Sequence, residues 1–278
     1  ATPGMVFLHL PPDLAGRFQE GSLRKVGGLC KEMCVVGLQT DTDAQVMLKV
    51  MDPSSSRARR ELHTLHRLSD FRKLGFGNSG CLSLPKEMRT VGEWTFAVTV
   101  PEEQTLSTLL TSSGALPLET SVPLFIDVLH GVQELEQAGI IHTRITPDSI
   151  ILTSGRALVS GLGDTCLLQD GDPEFSCSYL ADSEPQLFDS PVWQPPEASG
   201  DSPAGPEQHV WALGVLFASM CLGGNPVERA AAAVDPALLT GDTDGPLRDF
   251  IRAKFSIEDD PGFDRLAPQV QTVLAGML

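Results

Sequence analysis

Apolar residues fall into two styles along this chain, and the change comes near residue 101. Before it, short runs alternate between apolar and polar positions. Residues 23–26 and 33–38 flank Gly27-Gly28, and residues 44–50 alternate toward a third strand after the turn Asp41-Thr42-Asp43. Residues 81–84 and 94–100 read as two further strands. One helix interrupts them: after Asp52-Pro53-Ser54-Ser55-Ser56, the residues Leu62, Leu65, His66 and Leu68 or Ser69 recur on one face. Beyond Pro101 the period lengthens. Residues 122–138 form a long helical pattern with apolar positions at Val122, Phe125, Ile126, Leu129 and Val132, and Gly139 terminates it. Residues 140–159 read as strand, turn and strand, residues 164–195 as a loop rich in Pro, Asp and Ser, and residues 208–222 as a buried helix. Residues 246–278 carry helical segments broken by Pro261 and Pro268. A small strand-rich part followed by a larger helical part is an α+β, two-lobed plan, with lobes at 1–100 and 101–278 of one domain.

Composition narrows the function classes. A chain of 278 residues, 41% hydrophobic and 20% charged, can bury a sizeable core and is not a disordered one. No run of about 18 apolar residues appears, so no membrane span is expected. Ala1 is followed by no basic region and apolar core, so the expectation is a chain without a signal peptide or trimmed of one. Thirty-six acidic against 20 basic side chains give a net charge of −16, which repels nucleic acid and anionic lipid. The densest basic run, Arg57, Arg59, Arg60, Arg67, Arg72 and Lys73, reads as a solvated helix face. The six cysteines leave their pairing open. Cys30 and Cys34 make half of a zinc site with no second pair nearby, and His63 and His66 lack the acidic partner of a metalloprotease helix, so no metal is expected.

Several short motifs stand in an informative order. Val46-Met47-Leu48-Lys49 resembles a strand carrying a phosphate-binding lysine, and Glu61 on the following helix is similar to the glutamate that pairs with it. His142-Thr143-Arg144 through Ser149, followed by Ile150-Ile151-Leu152, resembles a catalytic loop. Gly161-Leu162-Gly163 stands where a metal-binding tripeptide would be. Pro195-Pro196-Glu197 resembles the end of an activation segment, and Val210-Trp211-Ala212-Leu213-Gly214 the buried helix after it. Asp260-Pro261 with Arg265 resembles the late element whose arginine pairs with that glutamate, here Glu197. This order and spacing resemble the eukaryotic protein-kinase fold across nearly the whole chain. Within it, 139–143, 146–148 and 154–158 are similar to the secreted rhoptry kinases and pseudokinases of apicomplexan parasites, bradyzoite pseudokinases among them.

The resemblance sharpens what departs from it. Phosphoryl transfer rests on positioning and on magnesium ions that bridge the phosphates. Where the family pattern needs an aspartate to orient the attacking hydroxyl, this chain has Arg144, which accepts no proton. Ser149 replaces the asparagine ligand, and Gly161 replaces the main aspartate ligand. Gly28 is the one loop glycine that aligns, with Cys30 and Met33 at the other two positions, so residues 28–33 are expected to narrow the phosphate cradle. Lys49 and Glu61 survive, either to grip phosphate or to pin the helix to the sheet. Residues 96–101 would line an apolar slot in both cases.

Residues 157–197 contain no Lys or Arg, and Thr143 replaces the arginine that holds a phosphate on such a loop, so ordinary activation-loop switching is not expected. Cys166 and Cys177 either tie this segment down or stay as thiols. His142, Glu197, Arg265 and Trp211 are expected to be structural, and His209 stands where the family has an aspartate that supports the catalytic loop. The expectation is therefore a pseudokinase that is no enzyme, needs no cofactor and no magnesium, and binds an unidentified protein partner. The resemblance implies secretion to a parasite organelle, vacuole or cyst wall. Two alternatives stand beside it: an atypical phosphotransferase using Asp164 or Asp148, and a module that binds ATP without metal or turnover.

Overall fold

The computed structural model describes residues 24–26, 33–38, 45–99, 104–168, 173–183, 192–195, 205–234, 251 and 255–278. The chain divides into two compact units, one comprising Ala1–Arg59 and Leu84–Glu102, the other Arg60–Ser83 and Glu103–Leu278. In the first unit, β1 (Arg24–Val26), β2 (Met33–Leu38), β3 (Gln45–Met51), β4 (Glu87–Val91) and β5 (Trp94–Thr99) pair antiparallel in the order β1-β2-β3-β5-β4. Alternation places Val46, Leu48 and Val50 of β3 on one face, beside Phe96 and Val98 of β5, as a single apolar cluster. Met47 and Met51 on the opposite face are buried too, so both sides of β3 are covered.

The strand expected at 81–84 is corrected. Leu82 makes only an isolated bridge to Val159, and the real fourth strand is Glu87–Val91. Its sequence Glu-Met-Arg-Thr-Val carries little apolar signal because this is an edge strand with an exposed end. It joins β5 through the two-residue turn Gly92-Glu93, with Gly92 at φ 62°. A left-handed first residue is what a tight hairpin needs, and glycine adopts it without strain.

Helix α1 (Ser56–Lys73) opens after the Asp52–Ser55 turn and buries Leu65 and Leu68. Its basic run is only in part the solvated face that was expected: Arg67 and Lys73 are exposed, whereas Arg60 is buried. Arg60 Nε donates to Gly163 O at 3.0 Å, Arg67 Nε to Ala138 O at 3.2 Å and Arg72 Nε to Glu134 Oε1 at 2.7 Å. Arg59 reaches Pro53 O and Lys73 reaches Asp70. These guanidinium groups fasten the helix to its own surroundings, because main-chain carbonyls and one buried carboxylate lie within reach.

The second unit continues through β6 (Gln104–Thr105), α2 (Leu106–Ser113) and the long α3 (Leu118–Gln137), which ends at Gly139 with φ 74°. On α3 the inward line is Leu124, Val128, Val132 and Leu135, with Phe125 beside it. Val122, Ile126 and Leu129, expected on the apolar face, are 37–44% exposed. Their i, i+4, i+7 spacing is as good a helical stripe as the buried one, so periodicity alone could not choose between them. Gly131 sits on the inward side, where a β-carbon would stand 2.8 Å from Cys81 O and 2.9 Å from Val159 Cγ2. Only glycine lets the helix approach that closely.

Strands β7 (Ile140–His142) and β10 (Thr165–Leu167) pair, and β8 (Ile150–Thr153) and β9 (Arg156–Val159) form a hairpin turned by Ser154 and Gly155. Helix α4 (Cys177–Ser183) follows, then α5 (Pro206–Leu222), α6 (Pro226–Val234) and α7 (Pro268–Met277). Pro268 opens α7 rather than breaking a helix, because the first helical position has no N–H bond to lose. Trp211 of α5 is buried with Val192, Val215, Val227 and Ile251, and its Nε1 donates to Val192 O at 3.0 Å. Phe125 and Phe217 stack at 4.4 Å, joining α3 to α5. The expected core role of Trp211 is thus met by both its ring and its N–H.

Two carboxylates of α3 act as internal fasteners. Asp127 accepts Arg156 Nε and Nη2, both at 2.7 Å, and Ala157 N at 3.1 Å. Glu134, 2% exposed, accepts Arg72, Ser79 N at 2.9 Å and Ser79 Oγ at 2.6 Å. Burial pushes both carboxyls up, but these donors outweigh it and hold both below the ordinary carboxylate range. Replacing Glu134 by Ala strands a buried N–H and an arginine, and should cost about 2–4 kcal/mol in urea unfolding, against about 1–2 for Glu134→Gln. The folded pKa values being depressed, their stabilisation is complete above the unfolded carboxylate values of about 4. It is lost as pH falls through the folded values. The urea midpoint should accordingly drop below about pH 4, and the drop should flatten in Asp127→Asn/Glu134→Gln.

Candidate functional site

The residues singled out from the sequence meet in one place around His142. Strand β7 delivers His142 into the core, 2% exposed, and the chain then turns through 143–149. His142 Nδ1 accepts the Arg144 N–H at 3.2 Å, so the ring proton sits on Nε2 and is donated to Ser160 O at 2.8 Å. Gly161 follows, at φ 77°, and a β-carbon there would lie 3.7 Å from both His142 Nε2 and Ser149 Cβ. His142, Ser149 and Gly161 are therefore neighbours, as the motif spacing implied. Arg144 is exposed at the edge of the same turn.

Ser149 is already occupied. Its Oγ donates to Thr146 O at 2.9 Å and accepts the Thr146 N–H at 3.0 Å, closing the short 3-10 turn Pro147–Ser149. Its main-chain O accepts Ser160 N and Ser160 Oγ. Asp148 lies exposed on that turn. Asp164 is half-buried; its N–H donates to Gly161 O, and its O accepts both the N–H and the hydroxyl of Thr143. Thr143, standing where a phosphate-holding arginine was absent, thus ties the two loops together. The Gly161–Gly163 turn is held from α1 as well. Thr165 donates its hydroxyl to Leu162 O, so Thr64 must donate to Thr165 at 2.7 Å, while Arg60 takes Gly163 O.

His209 explains how a histidine serves in an aspartate's position. Buried on α5, its Nε2 accepts the His142 N–H at 2.9 Å. Its Nδ1 must then carry the proton, and it is donated to Glu136 Oε1 at 2.7 Å. An acceptor for the loop's backbone is what the position requires, and a neutral imidazole supplies one. Glu136 fixes the tautomer. Nothing in the sequence marked Glu136, because its partner lies 73 positions away.

Cys166 of β10 and Cys177 of α4 form a disulfide with Cα atoms 4.9 Å apart, which decides between the two possibilities left open for them. They pack with Ile141 and Leu180, and Phe175 stacks on His63 of α1 at 4.1 Å between ring centroids. The described part of the acidic segment is therefore stapled rather than loose. Cys81 and Cys221 are buried thiols, and burial pushes Cys221 up to about 11.

Lys49 is half-buried on β3, in register with Cys34 and Ala97, and belongs to the first unit, whereas Glu61 is buried on α1 and belongs to the second. Gly28 and Glu197 lie outside the described residues, as do Cys30 and the pairing expected between Glu197 and Arg265. Arg265 itself is exposed in the 3-10 turn Phe263–Arg265, while the neighbouring Asp260 pairs with Arg229 at 2.8 Å. Among the described residues no group of three or more His, Cys, Asp or Glu could hold a metal ion, and no helix is long and apolar enough to cross a membrane. His209→Ala should remove the acceptor of a buried N–H, cost about 1–3 kcal/mol in chemical unfolding and speed amide exchange at His142. His209→Gln, which can still accept there, should lose less on both measures.

No family model matches the chain. Serine/threonine-protein kinase PknL of Mycobacterium tuberculosis is 28% identical over 191 residues, 68% of this chain and 46% of that protein. Serine/threonine-protein kinase PAK 4 of Homo sapiens is 32% identical over 103 residues, 36% of this chain and 15% of that protein. E3 ubiquitin-protein ligase KEG of Arabidopsis thaliana is 33% identical over 130 residues, 41% of this chain and 8% of that protein. The chain spans less than half the length of these relatives. They correct the expectation of a chain that is no enzyme: two of the three carry the name of a serine/threonine protein kinase. The chain has an α+β, two-lobed, protein-kinase-like fold, and serine/threonine protein kinases are its distant relatives.

Proposed function

We propose that this kinase-like domain works as a secreted module that binds and regulates another protein, and that any phosphoryl transfer it performs runs through Asp164. One observation carries the reading. Around His142 the two positions that resemble metal ligands are a glycine and a serine, and the serine hydroxyl is already bonded as both donor and acceptor within its own turn. A hard cation prefers free oxygen ligands. The rest of the loop is held firmly by His209, Thr143 and Arg60, so its scaffold persists where its ligands have changed. A well-held surface is what protein recognition requires.

Secretion is supported by the Cys166–Cys177 disulfide, since such bonds persist in oxidising compartments. The similarity of 139–143 and 154–158 to apicomplexan rhoptry proteins supports the same destination. The acidic charge of −16 and the pinning of the basic run favour a protein over a nucleic-acid partner. A second reading, an atypical phosphotransferase, is favoured by the names of the relatives and by Asp164, one residue beyond the glycine tripeptide.

Melting-temperature titrations separate the readings. The first predicts that ATP with Mg²⁺ raises the melting temperature no more than ATP with EDTA. It also predicts that Arg144→Asp/Ser149→Asn/Gly161→Asp gains a Mg²⁺-dependent rise. Position 161 admits a β-carbon without a close contact, and aspartate tolerates its left-handed φ better than most residues. A Mg²⁺-dependent rise in the wild type, with transfer of labelled phosphate abolished by Asp164→Ala, would establish the phosphotransferase instead.

A further inference from the structure

The first unit carries a groove of about 520 Å³ that no feature of a phosphate site uses, lined by Asp52, Pro53, Ser54, Glu93 and Trp94. It lies where β3 ends and β5 begins, and both walls are stiff. On one side Asp52 Oδ1 accepts Ser54 N at 2.8 Å, its O accepts Ser55 N at 3.0 Å, and Pro53 fixes its own φ. On the other, the tight Gly92-Glu93 turn sets Trp94 directly opposite Val91, and the Thr90 and Thr95 hydroxyls bond at 3.0 Å in the next pair. Trp94 is 42% exposed and Val91 44%. An indole left in water at the tip of a braced hairpin is an anchor without a visible load.

The lining chemistry selects the occupant. Two carboxylates, a hydroxyl and an indole surround the space, and no basic side chain is among them. Of the arginines near it in sequence, Arg59 donates to Pro53 O at 3.1 Å and Arg89 pairs with Glu87 at 2.8 Å. An indole face attracts a cation, and carboxylates beside it supply the counter-charge. The whole chain, at −16, adds a long-range pull on positive ligands. We infer that this groove is a docking site for a lysine- or arginine-bearing segment of a partner protein, with one cationic side chain against Trp94 between Asp52 and Glu93. The inference rests on the protein-binding reading and names the partner's chemistry.

The test is fluorescence anisotropy of a labelled peptide of alternating lysine and glycine, titrated with the full chain, beside a glutamate–glycine peptide of equal length. The lysine peptide binds and the glutamate peptide does not. Asp52→Asn/Glu93→Gln and Trp94→Ala each weaken binding about fivefold or more. Glu258→Gln/Asp264→Asn, which removes two negative charges from exposed sites of the second unit, leaves it within about twofold. Trp94→Phe keeps a ring and retains most of the affinity, which guards against a hairpin that merely unfolds. Equal weakening by both double variants overturns the site, since bulk charge would then explain binding, and so does no binding at all. Either failure leaves the nucleotide titrations to judge the protein-binding reading separately.

Discussion

Three carboxylates on one helix hold most of the second unit together. From α3, Asp127 grips the β8–β9 hairpin through Arg156 and Ala157, Glu134 grips the exit of α1 through Arg72 and Ser79, and Glu136 grips α5 through His209. Each contact is charge-assisted or fixes a tautomer, and each joins segments far apart in sequence. The apolar line of Leu124, Val128, Val132 and Leu135 supplies the bulk of the burial, but it is the acids that set which element meets which turn of the helix. Gly131 fixes the separation, because nothing larger fits against Cys81 O.

From this frame hangs the loop around His142. Glu136 fixes His209, His209 accepts the His142 N–H, and His142 in turn accepts the Arg144 N–H while donating to Ser160 O. Along that line each hydrogen bond sets the donor or acceptor role of the next ring nitrogen. His209 stands at the support of this loop, where the resemblance implies an aspartate. A histidine serves there because it can accept the His142 N–H.

Spacing made the centre of the site legible. A histidine, then Ser149, then Gly161 at fixed intervals beside short strands come together once β7, β8 and β9 form, and a β-carbon built at 161 would lie 3.7 Å from both His142 and Ser149. Trp211 was equally readable, as an aromatic in an unbroken apolar helix. Illegible were the features set by partners that sequence does not name. The basic run of α1 read as a solvated face because its acceptors are carbonyls of Gly163 and Ala138, about 70 to 100 positions distant. The edge strand Glu87–Val91 was missed because half-exposed strands need not be apolar, and the outward stripe of α3 was misplaced because Val122, Ile126 and Leu129 have the same period as the buried line.

The pinning of those arginines reaches beyond the fold. Held against Gly163, Ala138 and Pro53, the guanidinium groups of Arg60, Arg67 and Arg59 spend part of their donor capacity inside the fold. Two copies of the chain approaching in dilute salt would meet as like-charged bodies, and that mutual repulsion fades over about 8–10 Å once ionic strength is physiological. The excess of 36 acidic over 20 basic side chains thus acts as a repulsion between copies and an attraction for positive ligands.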